Sequence, residues 1–126
     1  MGARLLLVDD DVSIRGLFSD ALNAAGYDVD SAASGSEALM LLAAQPYDVL
    51  ITDLGMPGMD GWQLIANAVA RQPMLRVVVI TGREELEDQS RADALGVPLL
   101  RKPFDLRQLR TIVQHAIGAT RRDSST

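Results

Sequence analysis

At 126 residues the chain is long enough to bury a real core and too short for two domains. Twelve basic against 17 acidic residues give a net charge of −5 and a pI near 4.7, which argues against a surface that attracts nucleic acid by itself and suits a pocket that attracts a cation. The absence of cysteine excludes disulfides, thiol redox chemistry and thiolate metal sites together, and the single histidine, His115, excludes a multi-histidine metal centre.

Arg4 to Asp9 reads as a first strand, because Leu5, Leu6, Leu7 and Val8 form an uninterrupted apolar run that Asp9, Asp10 and Asp11 then stop. Ile14, Leu17, Phe18, Ala21, Leu22 and Ala25 recur at helical spacing, with Asp11 as N-cap and Gly26 as stop. Tyr27 to Ala32 is a weaker strand. Ser34 to Glu37 has capping-box form, and Ala38 to Ala44 consists of strong helix formers until Pro46.

The stretch from Asp48 to Gly61 organises the rest. Val49, Leu50 and Ile51 favour a strand, and Gly55, Pro57, Gly58 and Gly61 cannot continue one, so a strand ends at about Asp53. Trp62 to Arg71 is a third helix closed near Pro73. Leu75 to Ile80 is the clearest buried strand, ended by Thr81 and Gly82. Glu84 to Leu95 reads as a helix with acidic residues in its first turn and Gly96 just past its end. Leu99 to Lys102 is a short fifth strand. Asp105 and Gln108 form another capping-box pattern, ahead of a stripe of Leu106, Leu109, Ile112, Val113, Ala116 and Ile117. His115 follows that stripe without sitting squarely on it and reads as a solvated helix flank. Residues 1–119 form the domain, and the polar, basic tail over 120–126 reads as a frayed end or the start of a linker.

Five strands alternating with five helices imply an α/β fold: a doubly wound parallel sheet with right-handed crossovers and helices on both faces. Ligands in such sheets bind beyond the carboxyl ends of the strands. The reading places Asp9, Asp10, Asp53, Thr81 and Lys102 there. No apolar run approaches the roughly 20 residues needed to span a bilayer, and the start lacks a signal-peptide pattern, so the expected location is the cytoplasm, away from the membrane.

Three carboxylates gathered at one end of a sheet repel one another, and a hard divalent ion such as Mg²⁺ answers that repulsion with oxygen ligands. Lys102 adds a fixed positive charge and Thr81 a hydroxyl donor around Asp53. Such a set suits phosphoryl transfer, in which charge on the transferring oxygens is neutralised and the nucleophile aligned, and a carboxylate can be that nucleophile. Any one of these residues alone has a bland reading as a turn former, helix cap or exposed lysine, and Asp11 is a cap. Their joint placement at four separate strand ends favours a site.

With Leu-Leu-Val-Asp9-Asp10-Asp11 followed by Arg15, Asp53-Leu-Gly-Met-Pro-Gly-Met-Asp-Gly61, Thr81-Gly82 and Lys102-Pro103-Phe104, the chain resembles a receiver domain of the two-component response regulators from about Arg4 to Gly118. The resemblance implies a (βα)5 flavodoxin-like sheet of order 2-1-3-4-5. It implies that Asp53 accepts a phosphoryl group from a phosphohistidine on a sensor histidine kinase or histidine phosphotransfer protein. Asp10 would ligate Mg²⁺ directly and Asp9 through water or by supporting Asp10, while the backbone carbonyl of Gly55 completes the protein ligands beside Asp53. Thr81 and Lys102 would contact the phosphoryl oxygens, and the Lys102–Pro103 bond is commonly cis in the family. Thr81 would draw the loop after the fourth strand toward Asp53 and shift the surface of the fourth helix, fifth strand and fifth helix, which also carries dimer contacts, toward a downstream protein or fused output domain. The chain departs from the family at Leu99, where an aromatic ring is usual, and in the short connection containing Pro98. Gly55 and Arg83 occupy positions that tune the lifetime of the acyl phosphate, and a long arginine beside a glycine suggests a screen against water.

The resemblance makes the chain a phosphoaccepting switch that assists its own modification and does not turn over a substrate. Two other functions compete with it. A phosphatase of the haloacid-dehalogenase type also uses an aspartyl nucleophile, magnesium and a lysine, but carries its nucleophile in an Asp-x-Asp motif, and Asp53-Leu-Gly lacks the second aspartate. A binding module of the same fold that works without phosphorylation is favoured by Leu99 and opposed by the full set of chemical residues.

Overall fold

The computed structural model describes the backbone of residues 2–125 and the side chains of residues 2–118. Its elements are β1 (Arg4–Val8), α1 (Val12–Ala24), β2 (Asp28–Ala32), α2 (Gly35–Ala44), β3 (Val49–Asp53), α3 (Gly61–Arg71), β4 (Arg76–Thr81), α4 (Leu86–Leu95), β5 (Leu99–Arg101) and α5 (Leu106–Ser125). All strand pairings are parallel, in the order β2-β1-β3-β4-β5. The central strands are apolar on both sides because helices cover both faces. Leu6, Val8, Leu50, Val77 and Val79 face one core with Ala38, Leu42, Leu64 and Ala68 of α2 and α3. Leu5, Leu7, Val49, Ile51, Val78 and Ile80 face the other with Phe18 and Leu22 of α1 and Leu109 and Val113 of α5. The expected five-stranded doubly wound sheet is therefore present, with the expected strand order.

Caps explain where the helices start. Asp11 accepts hydrogen bonds from the Ser13 and Ile14 amides, and Asp105 and Gln108 form the reciprocal box ahead of α5. Ser34 Oγ accepts from the Glu37 amide, but Glu37 reaches back to the Ala33 amide, one residue beyond the cap. α3 begins one residue earlier than the sequence suggests, because Asp60 and Gln63 form a further capping box. α4 begins later than Glu84: Glu85 is its N-cap, in extended conformation and without a side-chain cap bond. The αL conformation of Gly96, with φ of 70°, ends α4 as expected. Thr81 belongs to β4, and β5 stops at Arg101, so Lys102 stands just beyond it. The proposed tail over 120–126 lies outside the residues whose side chains are described.

The start of α3 is seated directly on the end of β3. A Cβ at Gly61 would lie 2.3 Å from the Asp53 carbonyl oxygen and 2.8 Å from Leu54 Cα, both backbone atoms that cannot turn aside. Gly61→Ala is therefore expected to destabilise the fold by about 2–3 kcal/mol, read as a lower urea midpoint at unchanged slope. Among the described residues, no helix is long and apolar enough to cross a membrane.

Candidate functional site

The site follows from strand parity. Val8 pairs with Thr52 and Asp53 with Ile80, so Asp9 leaves β1 beside the carboxyl end of β3. Asp9 and Asp53 continue the alternation of Leu5 and Leu7, and of Val49 and Ile51, on the α1 and α5 side; Lys102 follows Leu100 on that same side. Thr81 continues Val77 and Val79 and belongs to the opposite side, toward α4.

The contacts agree with that placement. Lys102 Nζ lies 3.1 Å from Asp9 Oδ2 and 3.2 Å from Asp53 Oδ2, bridging the two carboxylates. Asp53 Oδ1 accepts from the Leu54 amide at 2.7 Å and the Gly55 amide at 3.3 Å, so one oxygen is fixed by backbone and the other faces the lysine. Asp9 is fully buried; its Oδ1 accepts from the Asp11 amide at 3.0 Å, and its carbonyl accepts from Arg15 at 2.8 Å. Asp10 is exposed at the rim. One carboxylate oxygen from each of Asp9, Asp10 and Asp53 lies within 4.8 Å of the other two.

Burial pushes the Asp9 carboxyl above the usual range, against the opposing pull of the Asp11 amide and Lys102. Burial alone would lower the Lys102 ammonium, but Asp9 and Asp53 together outweigh it and raise it. Three carboxyl groups converge where a single ammonium stands, and every donor is a hard oxygen. That composition fits a divalent cation of the magnesium class and gives a soft metal nothing to bind.

Thr81 is buried, and its Oγ1 accepts from the Arg83 amide at 3.1 Å. Among the described residues it makes no hydrogen bond to Asp53. The Lys102 amide donates to the Thr81 carbonyl at 2.8 Å, which ties the two residues together through backbone. The Lys102–Pro103 peptide is cis, as the resemblance implies. Leu99 is half-buried against the α2 and α3 side of the core. His115 is exposed on α5.

These neighbours identify the protein's class. The family model described as the response regulator receiver domain matches residues 5–114. The chain belongs to the response regulator receiver family. This receiver domain is 39% identical over 113 residues to the DNA-binding transcriptional regulator NtrC of Salmonella typhimurium, covering 89% of the chain and 24% of that relative. It therefore spans about a quarter of the length of that relative. It is 31% identical to the sporulation initiation phosphotransferase F of Bacillus subtilis, over 90% of the chain and 93% of the relative. Among solved structures it superposes on a CheY-like response regulator receiver domain from Methanospirillum hungatei with a TM-score of 0.92 at 25% identity, covering 98% of this chain and 99% of that one. Receiver domains of this family are phosphoacceptor switches of two-component signalling.

One set of interactions in this receiver domain has no counterpart in the sequence reading. Asp88, in the first turn of α4, is buried, and its Oδ1 accepts from Trp62 Nε1 at 2.9 Å. The Arg83 guanidinium clasps it with two bonds of 2.7 and 3.0 Å, and the Arg83 carbonyl accepts from Arg101 at 2.7 Å. The hydrogen bond from Arg83 holds the Asp88 carboxyl below its usual range, against burial and with help from Trp62. Arg83 is thus committed to Asp88, and the expected screen over the phosphoryl site is not what its guanidinium forms. No local motif marks this contact, since Trp62 and Asp88 are 26 residues apart.

Proposed function

We propose that Asp53 is the phosphoacceptor of this receiver domain, with Thr81 and Lys102 as the groups that meet the transferred phosphoryl oxygens and with Asp9, Asp10, Asp53 and the Gly55 carbonyl as ligands of Mg²⁺. The observation that carries the reading is Lys102 Nζ bridging the oxygens of Asp9 and Asp53 at the edge of a three-carboxylate cluster. Bound there, the cation would neutralise phosphoryl and carboxylate charge at once.

The chain's own residues do the rest. The Leu54 and Gly55 amides hold Asp53 Oδ1, which leaves Oδ2 as the attacking oxygen. Oδ2 forms a bond to phosphorus as the bond from phosphorus to the donor's imidazole nitrogen breaks, and the electron pair leaves with that nitrogen, which is protonated from solvent. Lys102 must give up part of its contact with Oδ2 and follow the charge to the phosphoryl oxygens. The ion pair to the buried Asp9 keeps the ammonium at the site as it does so.

The domain modifies itself once and does not turn over a substrate. Its donor is a phosphohistidine on a sensor kinase or phosphotransfer protein, its place is the cytoplasm, and its output passes through the α4, β5 and α5 surface to a downstream protein or fused domain. Within this reading the phosphorylation-independent module is the competitor that the site argues against.

Acetyl phosphate with Mg²⁺ is expected to add a single phosphoryl group per chain, seen by intact mass, and chelation of the metal to stop uptake. Continuous release of phosphate from a phosphomonoester would point to a phosphatase instead. Mg²⁺ is further expected to raise the melting temperature at pH 7 and to do so less as pH falls through the carboxylate range, because the raised Asp9 must lose its proton to accept the ion. Equal stabilisation at pH 4 and pH 7 would contradict that ligand set.

A further inference from the structure

α4 is attached in an unusual way. Its only buried residues are Asp88 and Ala92, while Leu86 and Leu95 at its two ends are 84% and 57% exposed. An apolar stripe does not hold this helix to the sheet; much of its anchorage is the polar junction at Asp88. Such a junction is sensitive to geometry, because a buried carboxylate that loses a partner is costly, whereas an apolar contact can slide.

The junction joins four pieces of the structure. Trp62 follows Gly61, which packs on the Asp53 carbonyl, so the indole is fixed relative to the end of β3. Arg83 lies two residues from Thr81, and its amide is the donor that the Thr81 hydroxyl accepts. Arg101 holds the Arg83 carbonyl from β5, next to Lys102. Asp88 brings α4 to the same point. A movement of Thr81 toward Asp53 carries the Arg83 amide with it, and the guanidinium then has to leave Asp88 or pull α4 along.

We infer that Asp88 is a positioning residue for the chemistry at Asp53: through Arg83 it holds the Thr81 hydroxyl off the acceptor, and phosphorylation has to open the Arg83, Asp88 and Trp62 contact. The inference rests on the reading of Asp53 as phosphoacceptor and adds a latch that opposes it. Because the latch favours the unmodified arrangement, removing it raises the population of the arrangement ready to react. Trp62 is the only tryptophan in the chain and carries two contacts to α4, the bond to Asp88 and the Arg91 guanidinium 5.3 Å above its ring. Its emission therefore reports the latch without a label.

The test uses the full chain with acetyl phosphate and Mg²⁺, following phosphoryl uptake by intact mass and Trp62 by fluorescence. Asp88→Asn keeps the shape and an acceptor for the indole but removes the charge that holds Arg83. Its initial uptake is expected to be roughly five- to tenfold faster than the parent's. Its resting emission should already lie toward that of the loaded parent, and loading should shift the parent's own emission. A purely structural contact predicts a lower melting temperature with no acceleration. If Asp88→Asn lacks a cooperative melt, Arg83→Met, which keeps the aliphatic stem, carries the same expectation. Uptake by the parent with unchanged Trp62 emission, or uptake no faster in the folded variant, overturns the latch alone. Failure of the parent to take up any phosphoryl group overturns the Asp53 reading and the latch with it.

Discussion

Asp53→Ala is expected to take up no phosphoryl group from acetyl phosphate and Mg²⁺ under conditions that load the parent completely. The neighbouring carboxylates cannot substitute, for different reasons. Asp9 is fully buried, with one oxygen on the Asp11 amide and the other on Lys102, so a donor has no approach to it. Asp10 is exposed, and the Lys102 ammonium is paired with Asp9 and Asp53 instead, so Asp10 lacks the charge that aligns a nucleophile and draws the phosphoryl oxygens. The loss is not one of folding. Asp53→Asn keeps an acceptor for the Leu54 amide, removes one of the mutually repelling carboxylates and leaves Lys102 paired with Asp9. It should melt at or above the parent's temperature without metal, by about 1 kcal/mol of stability, and gain less from added Mg²⁺. Intact mass and thermal melts with and without the ion measure both effects, and a phosphorylated Asp53→Ala would refute the assignment.

The positions of Asp9 and Asp53 were legible because each closes a short buried strand, and runs with sharp polar ends are what a doubly buried strand requires; Lys102 was legible from its place just past the short edge strand β5 and before Pro103. Their common side was also legible, through the two-residue alternation that leads from Leu7 to Asp9 and from Leu100 to Lys102. The same alternation puts Thr81 on the other side, where the Arg83 amide reaches its hydroxyl. The start of α4 was misplaced because Glu84 and Glu85 have the composition of a first turn, while the helix begins where Asp88 can reach Trp62 and Arg83. That contact joins the first turns of two helices whose separation is set only by packing. Asp88 reads from sequence as one more acid favourable to the helix dipole, and nothing nearby reveals that it is buried and paired.

Lys102→Met should slow phosphoryl uptake by roughly 10²- to 10³-fold, the usual cost of losing one preorganised charge from a site where charge is transferred. It should also weaken the fold, by about 2 kcal/mol near neutral pH. Loss of one partner from a buried pair costs about 3–5 kcal/mol, and the lysine side chain is 23% exposed, which screens part of that. The pH dependence of the stability gap separates this cause from simple packing. Burial holds the Asp9 carboxyl above its ordinary value of 3.8, so its protonated form is favoured by the fold, and the stability so gained is lost as pH rises through the folded value. Lys102 lowers that loss by pairing with the carboxylate, and without it Asp9 should hold its proton to still higher pH. Parent and variant therefore converge below pH 3.8, where Asp9 is protonated in both. The gap opens as Asp9 ionises. It closes again above pH 10.5, once the raised Lys102 ammonium of the parent loses its own proton. A gap independent of pH would mean that the side chain acts by volume alone. Excess Mg²⁺ should restore part of the stability, because any cation among the carboxylates relieves Asp9, but not the rate, because Lys102 sits where the Asp53 oxygen becomes bonded to phosphorus. Lys102→Arg should recover the stability better than the rate, since a planar fork keeps the charge and loses the compact ammonium that fits between the Asp9 and Asp53 oxygens.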